Sequence, residues 1–456
     1  MTFTAKRARI RIVVGVTILV AAGTVWTVRH LTATTQALQG DTRQFGMVYT
    51  LAAVLLLAQV VMCHLERPHR VTTRQHRQLS ALRVVVLVPT YNEDEELLAR
   101  CLFSLAEQTR RPDRIVVVDD GSARDYPRTR TWALAESRRT ALSVTWLRTP
   151  NRGKRHAHGE AIRRTPEADI YLTVDSDAIL DPHAIEEGLK PFARSDVAAV
   201  AGIVLAANNR RTVLSRFTDL WYVTSQLVDR SSLSAMGSVL VNSGPLAFYR
   251  AAIVRANLDS YLGETIRGRP VAFSDDSMLT LFALLEGRTV QQPTSFVFTA
   301  MPERVGHHLR QYVRWMRDST IRSLWRARYL PLTGYAYWAH LARWAQALIA
   351  TVLFVAVFLV QPAIDHQFAA SLLLISILIG YAQGLRYLTI RRADESLASQ
   401  LATWALAPVA AMWAFFVLRP VRWYVMATCL RTGWGTRADV EVSLTPRTIA
   451  TRGAPS

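Results

Sequence analysis

Two kinds of apolar pattern divide this chain. Ile10–Val28, Phe45–Cys63, Ala342–Val360 and Ala369–Ile390 are near-continuous apolar runs, each long enough to cross a bilayer as a helix. From Arg83 to about Gln292 the runs shorten to strand length and alternate with helical stretches. RVVVLVPTYNE, RIVVVDDGS, SVTWLRT, DIYLTVDSD and DVAAVAGIVL read as strands, four of them apolar and β-branched enough to be buried on both faces. Helix-forming composition fills Glu95–Gln108 and Tyr126–Arg139 between them. The alternation predicts an α/β domain built on a parallel sheet covered by helices.

Basic residues orient the apolar runs. Lys6, Arg7, Arg9 and Arg11 flank the first run and ERPHRVTTRQHR follows the second, whereas the connection between them carries only Arg29, Asp41 and Arg43 as charges. The positive flanks belong on the cytoplasmic side. Residues 1–66 are therefore expected to hold two N-terminal transmembrane helices, the first a retained anchor because no small-residue cleavage site follows it cleanly. Residues 67–325 form the cytosolic domain, with interfacial helices at its C-terminal end. Residues 326–430 hold interfacial and C-terminal transmembrane helices, and residues 431–456 a cytosolic tail with GWGTR. RSLWRARYLPLTGYAYWAHLARW reads as a helix on the membrane surface. Leu401–Leu430 contains Pro408 and Pro420 and is basic at both ends, so it reads as a re-entrant pair or two short spans. The expectation is a multi-pass plasma-membrane protein whose α/β domain is cytoplasmic.

A formal charge of +19 raises nucleic acid as a partner, but the basic residues are scattered and crowd the membrane flanks. No basic aromatic platform or helix-turn-helix pattern occurs, so no nucleic acid is expected; membrane lipid and an anionic nucleotide are the more economical partners. Arginines number 51 against 3 lysines, which makes Lys154 in a glycine-containing loop noticeable. Cys63, Cys101 and Cys429 have no metal or redox spacing.

In such a sheet the ligand sits outside the carboxyl ends of the strands. Polar clusters fall there repeatedly: Tyr91, Asn92 and Glu93 after the first strand, Asp119 and Asp120 after the second, Asp175 and Asp177 after the fourth. Asp175 and Asp177 converge on one face if their strand persists that far. Two such carboxylates favour a shared proton or a cation, and a hard divalent ion such as Mg²⁺ brings substrate phosphates with it. D-S-D alone reads as an acidic loop; three clusters at one sheet edge argue for a site. NRGKRHAHGEAI sets Gly153 and Lys154 before a helix predicted to begin near His156, an arrangement that favours an anion. His156 and His158 lie two apart on that helix and share no face, which speaks against a histidine metal site. QYVRW sets Gln311, Arg314 and Trp315 on one helical face; in isolation it reads as an amphipathic interfacial helix.

VPTYNEDEELLARCLFSLAEQT, VVVDDGS, NRGKRHAHGEAI, TVDSDAILDP, NSGPLAFYR, FSDDSMLT and QYVRW occur in the order found in membrane-bound processive family 2 glycosyltransferases. The similarity spans Val84 to Arg437 and, with GWGTR, resembles hyaluronan synthases above all, with chitooligosaccharide and cellulose synthases as relatives. The resemblance implies a GT-A (Rossmann-like) α/β catalytic domain set between α-helical transmembrane segments. It implies UDP-sugar donors, Mg²⁺ or Mn²⁺, and a growing polysaccharide passed through the protein's own membrane helices. Carried over by residue, Asp119 or Asp120 would hold uridine with Tyr91 and Glu93, and Lys154 and Arg314 would take the diphosphate. Asp177 would be the direct metal ligand with Asp175 beside it, and Asp276 the base with Asp275 beside it. Ser243, Gly244 and Pro245 would shape the acceptor pocket with Gln311 and Trp315, while Trp434 and Arg437 would close over the nucleotide. Hyaluronan synthases usually carry Gly before the acidic pair and Arg after it, where this chain has Ser274 and Ser277. That departure bears on the product more than on the reaction. A chitin-like or other polysaccharide synthase and a non-processive lipid-linked sugar transferase are the alternatives among enzymes. A transporter with a nucleotide-binding domain would have no need of Asp276.

Overall fold

The computed structural model describes residues 58–140, 142–271, 275–355, 366–390, 392 and 394–430, with isolated positions nearer the N-terminus. Its centre is one eight-stranded sheet. In chain order the strands are β1 (Val84–Thr90), β2 (Arg114–Asp119), β3 (Ser143–Arg148), β4 (Ile170–Thr173), β5 (Ile179–Leu180), β6 (Val197–Ala206) and β7 (Ala247–Arg250). β8 (Thr265–Ile266) and β9 (Arg269–Pro270) form a separate small hairpin, and β10 (Arg288–Thr299) returns to the main sheet. The spatial order is β3-β2-β1-β4-β7-β6-β10-β5.

All five strands read from the sequence form, but the sheet is mixed rather than parallel. β3, β2, β1 and β4 run parallel, and then β7 enters antiparallel between β4 and β6. β7 is four residues of NSGPLAFYR, too short to display an alternation of its own, and its place is decided by the strands on either side. β10 pairs with β6 around a register shift between Gln291 and Phe296, the stretch that contains Pro293. A proline has no ladder N–H, and the irregularity absorbs it.

Burial on both faces explains the unbroken apolar runs. Val84, Val86 and Val88 of β1 pack with Leu98, Leu102 and Leu105 of helix Glu95–Ala106 on one side. Val85 and Leu87 pack with Ala157, Ala161 and Ile162 of helix Lys154–Arg163 on the other. Each such aliphatic side chain contributes about 1.5–3 kcal/mol by leaving water. Asp94 accepts the N–H groups of Glu96 and Leu97, which starts helix Glu95–Ala106 at the expected place.

The C-terminal helices dock on the sheet through helix Val213–Thr224. Its Leu220 and Val223 join Ile203 and Leu205 of β6 to Tyr387, Leu388, Ile390 and Ala407 in one apolar cluster. Beneath them Arg392 pairs with Asp219 at 2.7 Å, with both side chains inaccessible to solvent. Helices Val305–Tyr329, Tyr335–Phe354 and His366–Gly384 precede a continuous helix, Ala407–Thr428. That last helix is, among the described residues, the one long and apolar enough to cross a membrane by length and composition. Its two prolines do not end it. Pro408 lies in the first turn, and a π-helical turn at Ala414–Leu418 loosens the ladder just before Pro420. Most of Ile10–Val28, most of Phe45–Cys63 and the end of Ala342–Val360 lie outside the described residues.

Candidate active site

A cavity of about 830 Å³ opens at the carboxyl edge of β1, β2 and β4 and is lined on its other side by helix Val305–Tyr329. The loop after β1 brings Tyr91 and Glu93 to it. Asn92 between them adopts a left-handed backbone, φ 47°, a conformation asparagine tolerates; its Oδ1 accepts the Ala123 N–H. Glu93 Oε2 accepts a hydrogen bond from Ser176 Oγ at 2.9 Å, which ties this loop to the D-S-D turn. β4 ends at Thr173, so the strand alternation expected to align Asp175 and Asp177 stops short of them. They reach the cavity from a turn, with the Ala178 N–H donated to the Asp175 carbonyl.

Asp120 accepts the N–H groups of Arg152 and Gly153 at 3.0 and 2.8 Å, and its burial raises its pKa. Gly153, at φ 91°, then opens helix Lys154–Arg163 two residues earlier than expected. Lys154 Nζ lies between Asp175 Oδ1 at 2.7 Å and Asp275 Oδ2 at 2.9 Å. Burial works against its charge, yet those two carboxylates hold its pKa well above the ordinary lysine value. Gly244 faces this pair. A Cβ there would stand 3.2 Å from Lys154 Nζ and 3.6 and 3.7 Å from the Asp175 oxygens.

Asp275 and Asp276 begin helix Asp275–Glu286 and behave oppositely. Burial opposes ionisation of Asp275, but Lys154 and then His158 hold its pKa down to about 2. Burial, repulsion from Asp275 and repulsion from Asp318 push Asp276 up to about 8, against smaller lowering effects of Lys154 and the Ser277 N–H. The Asp276 carboxylate also accepts the Gly244 N–H at 3.2 Å. Adjacent carboxyls with separated pKa values are a familiar signature of divided acid and base roles. Ser277 Oγ donates to Asp318 Oδ2 at 2.8 Å, which joins this helix to Val305–Tyr329.

Trp315 stacks on Tyr222, ring centroids 5.4 Å apart and planes at 22°. Tyr222 Oη donates to Ser243 Oγ at 3.2 Å, and Arg230 donates to the same oxygen at 2.9 Å. Among the described residues no group of three His, Cys, Asp or Glu side chains is gathered as a ready metal cage. Asp175 and Asp177 nevertheless present hard oxygen donors to one cavity. That donor set suits an ion that completes its shell with phosphate and water.

Residues 82–318 match the protein family described as Glycosyltransferase like family 2. Hyaluronan synthase of Streptococcus pyogenes is 32% identical over 366 residues, which cover 79% of this chain and 84% of that protein. The chain is a family 2 glycosyltransferase. An N-acetylglucosaminyltransferase of Azorhizobium caulinodans is 35% identical over 240 residues, 52% of this chain and 59% of that one. A mannosyltransferase of Pyrobaculum calidifontis, solved in complex with GDP-Man and Mn²⁺, superposes with a TM-score of 0.50 at 21% identity. That match covers 82% of this chain and 98% of the other and supports a GT-A-like fold.

The glycosyltransferase brings most of the residues singled out in its sequence to this one cavity: Tyr91, Glu93, Asp120, Lys154, Asp175, Asp177, Ser243, Gly244, Pro245, Asp275, Asp276, Gln311, Arg314 and Trp315. Asp119 is not part of the lining. It is buried, accepts the Ser122 N–H at 2.9 Å and pairs with Arg148 at 3.6 Å, which leaves Asp120 as the cavity-facing member of that pair. Trp434, Arg437 and Ser274 lie outside the described residues. Sequence reading missed Tyr222, Arg230 and Asp318, all of which line the cavity. Asp318 had a signal, because 311, 314, 315 and 318 follow the i, i+3, i+4, i+7 spacing of one helical face. Tyr222 and Arg230 had none, since no motif marked residues 207–241.

Proposed function

We propose that this glycosyltransferase is a processive inverting synthase that polymerises sugars from UDP-sugar donors, with hyaluronan as its product and UDP-N-acetylglucosamine and UDP-glucuronic acid as donors. The observation that carries the reading is that donor-side and acceptor-side residues line one cavity of about 830 Å³, within the size range of small-molecule sites. The similarity to Streptococcus pyogenes hyaluronan synthase over 79% of the chain supports the product.

The donor end is formed by Tyr91, Glu93 and Asp120 toward uridine, with Lys154 and Arg314 toward the diphosphate. Lys154 is held by Asp175 and Asp275, and an arriving diphosphate competes for its charge. Asp175 and Asp177 would hold Mg²⁺ or Mn²⁺, which supplies positive charge against the UDP leaving group. The acceptor end is formed by Ser243, Gly244, Pro245, Gln311 and Trp315, the indole serving as a platform for a sugar ring. In a single in-line displacement the acceptor hydroxyl loses its proton to Asp276 as its oxygen bonds to the anomeric carbon and the bond to UDP breaks. Asp275, kept ionised by Lys154, favours the proton on its neighbour.

The membrane layout follows the apolar runs. Residues 1–66 and 326–430 supply the spans, 67–325 the cytosolic catalytic domain and 431–456 the tail, in a multi-pass plasma-membrane protein that exports its product. A chitin-like product is the second reading, favoured by Ser277, which bonds Asp318 at the position where hyaluronan synthases usually carry Arg.

UDP release by the purified protein tests the assignment of the site. With UDP-sugars and Mg²⁺ or Mn²⁺, release is expected from the wild type. Asp276→Asn is expected to keep UDP binding and lose release. Near wild-type turnover in Asp276→Asn would remove the base, and with it the reading of this cavity.

A further inference from the structure

Two neighbouring aromatics on helix Val213–Thr224 meet two aromatics three residues apart on helix Val305–Tyr329. Trp221 contacts Tyr312 edge-on with centroids 6.0 Å apart, and Tyr222 stacks on Trp315. Tyr312 is buried, so the first contact fixes the two helices against each other. The second contact lies in the cavity lining. Tyr222 is fixed in turn by its hydroxyl on Ser243, an oxygen also held by Arg230, whose remaining hydrogen bonds reach Gln226, Gln291 and the Gly202 carbonyl. Gly202 belongs to β6, so an unbroken chain of contacts runs from the central sheet through Arg230, Ser243 and Tyr222 to one face of the indole.

The geometry points to Tyr222 as a positioning residue for the acceptor: it occupies one face of Trp315, sets the plane of the ring and leaves the other face for the terminal sugar. This rests on the reading of Trp315 as the acceptor platform. A sugar ring gains from an aromatic face only when the two planes match, and a freely turning indole loses that match. Tyr222 acts through Trp315 and needs no contact with the donor. It therefore affects acceptor affinity and chain growth and leaves UDP affinity unchanged.

The test is a double-mutant cycle on the full chain with Tyr222→Leu, Tyr222→Phe and Trp315→Ala. It reads acceptor-oligosaccharide KM, kcat, product length and UDP affinity. Tyr222→Leu is expected to raise acceptor KM about threefold to tenfold, the worth of an aromatic pair, and to shorten the product. UDP affinity is expected to stay within about twofold, which also reports that the variant is folded. Tyr222→Phe keeps the stack and is expected to restore most of the acceptor KM. In a Trp315→Ala background Tyr222→Leu is expected to add nothing further. Equal losses from Tyr222→Leu with and without Trp315, or a matching loss of UDP affinity, would overturn the proposal while leaving Trp315 as the platform. An unchanged acceptor KM in Trp315→Ala alone would overturn the platform itself.

Discussion

Asp276 is the residue on which pH bears most directly. Burial, Asp275 and Asp318 hold its proton on to about pH 8, so the carboxylate that accepts a proton is scarce below that point and plentiful above it. The acidic limb of kcat/KM against pH is therefore expected well above the ordinary carboxylate range. Asp318→Asn removes one repelling charge and should move that limb to lower pH; a limb that stays in place, or moves up, contradicts the assignment. Asp177→Ala is expected to abolish metal-dependent UDP binding, measured by calorimetry with and without Mg²⁺ or Mn²⁺. An equal affinity in both conditions for wild type and variant would exclude Asp177 as a ligand. What was legible residue by residue was the place of the site, because polar clusters recur after the first, second and fourth predicted strands; the roles given to Asp276 and Trp315 came from the family resemblance and not from spacing. The Lys154 bridge was not, since it joins residues 154, 175 and 275, which only the fold brings together.

Between elements, a buried ionic bridge ties helix Lys154–Arg163 to helix Val305–Tyr329. Glu264 accepts Arg155 of helix Lys154–Arg163 at 2.7 Å and Arg322 of helix Val305–Tyr329 at 2.8 and 3.1 Å, with all three side chains nearly inaccessible. Removing the carboxylate leaves two buried guanidinium groups facing each other, a change that costs about 3–5 kcal/mol. Glu264→Ala is therefore expected to lower the thermal unfolding midpoint by many degrees, read by the loss of UDP binding on heating. An unshifted midpoint would show that the bridge is not structural. Sequence patterns revealed β1, β2, β4 and β6 because those strands are apolar on both faces, and β3 as a short half-buried run between helical stretches. They failed at β7 and β10 for separate reasons: β7 is too short for periodicity, and Gln291, Gln292 and Pro293 interrupt the run that forms β10.

In the molecule as a whole, one cavity gathers the residues proposed for donor and acceptor, and the C-terminal helices are packed onto the sheet that builds it. The place of the cavity could be foreseen from the polar clusters that follow the strands, since ligands gather at the carboxyl edge of such sheets, whereas the antiparallel insertion of β7 could not. The nature of the polymer was not legible in the same way, because Ser274 and Ser277 depart from the Gly and Arg that hyaluronan synthases usually carry around the acidic pair. The most direct measurement is to incubate the purified full chain with Mg²⁺ or Mn²⁺ and each UDP-sugar alone, then with UDP-N-acetylglucosamine and UDP-glucuronic acid together. Long product only from the pair, degraded by hyaluronidase, is the predicted result. Product from UDP-N-acetylglucosamine alone, resistant to hyaluronidase and cut by chitinase, would contradict it.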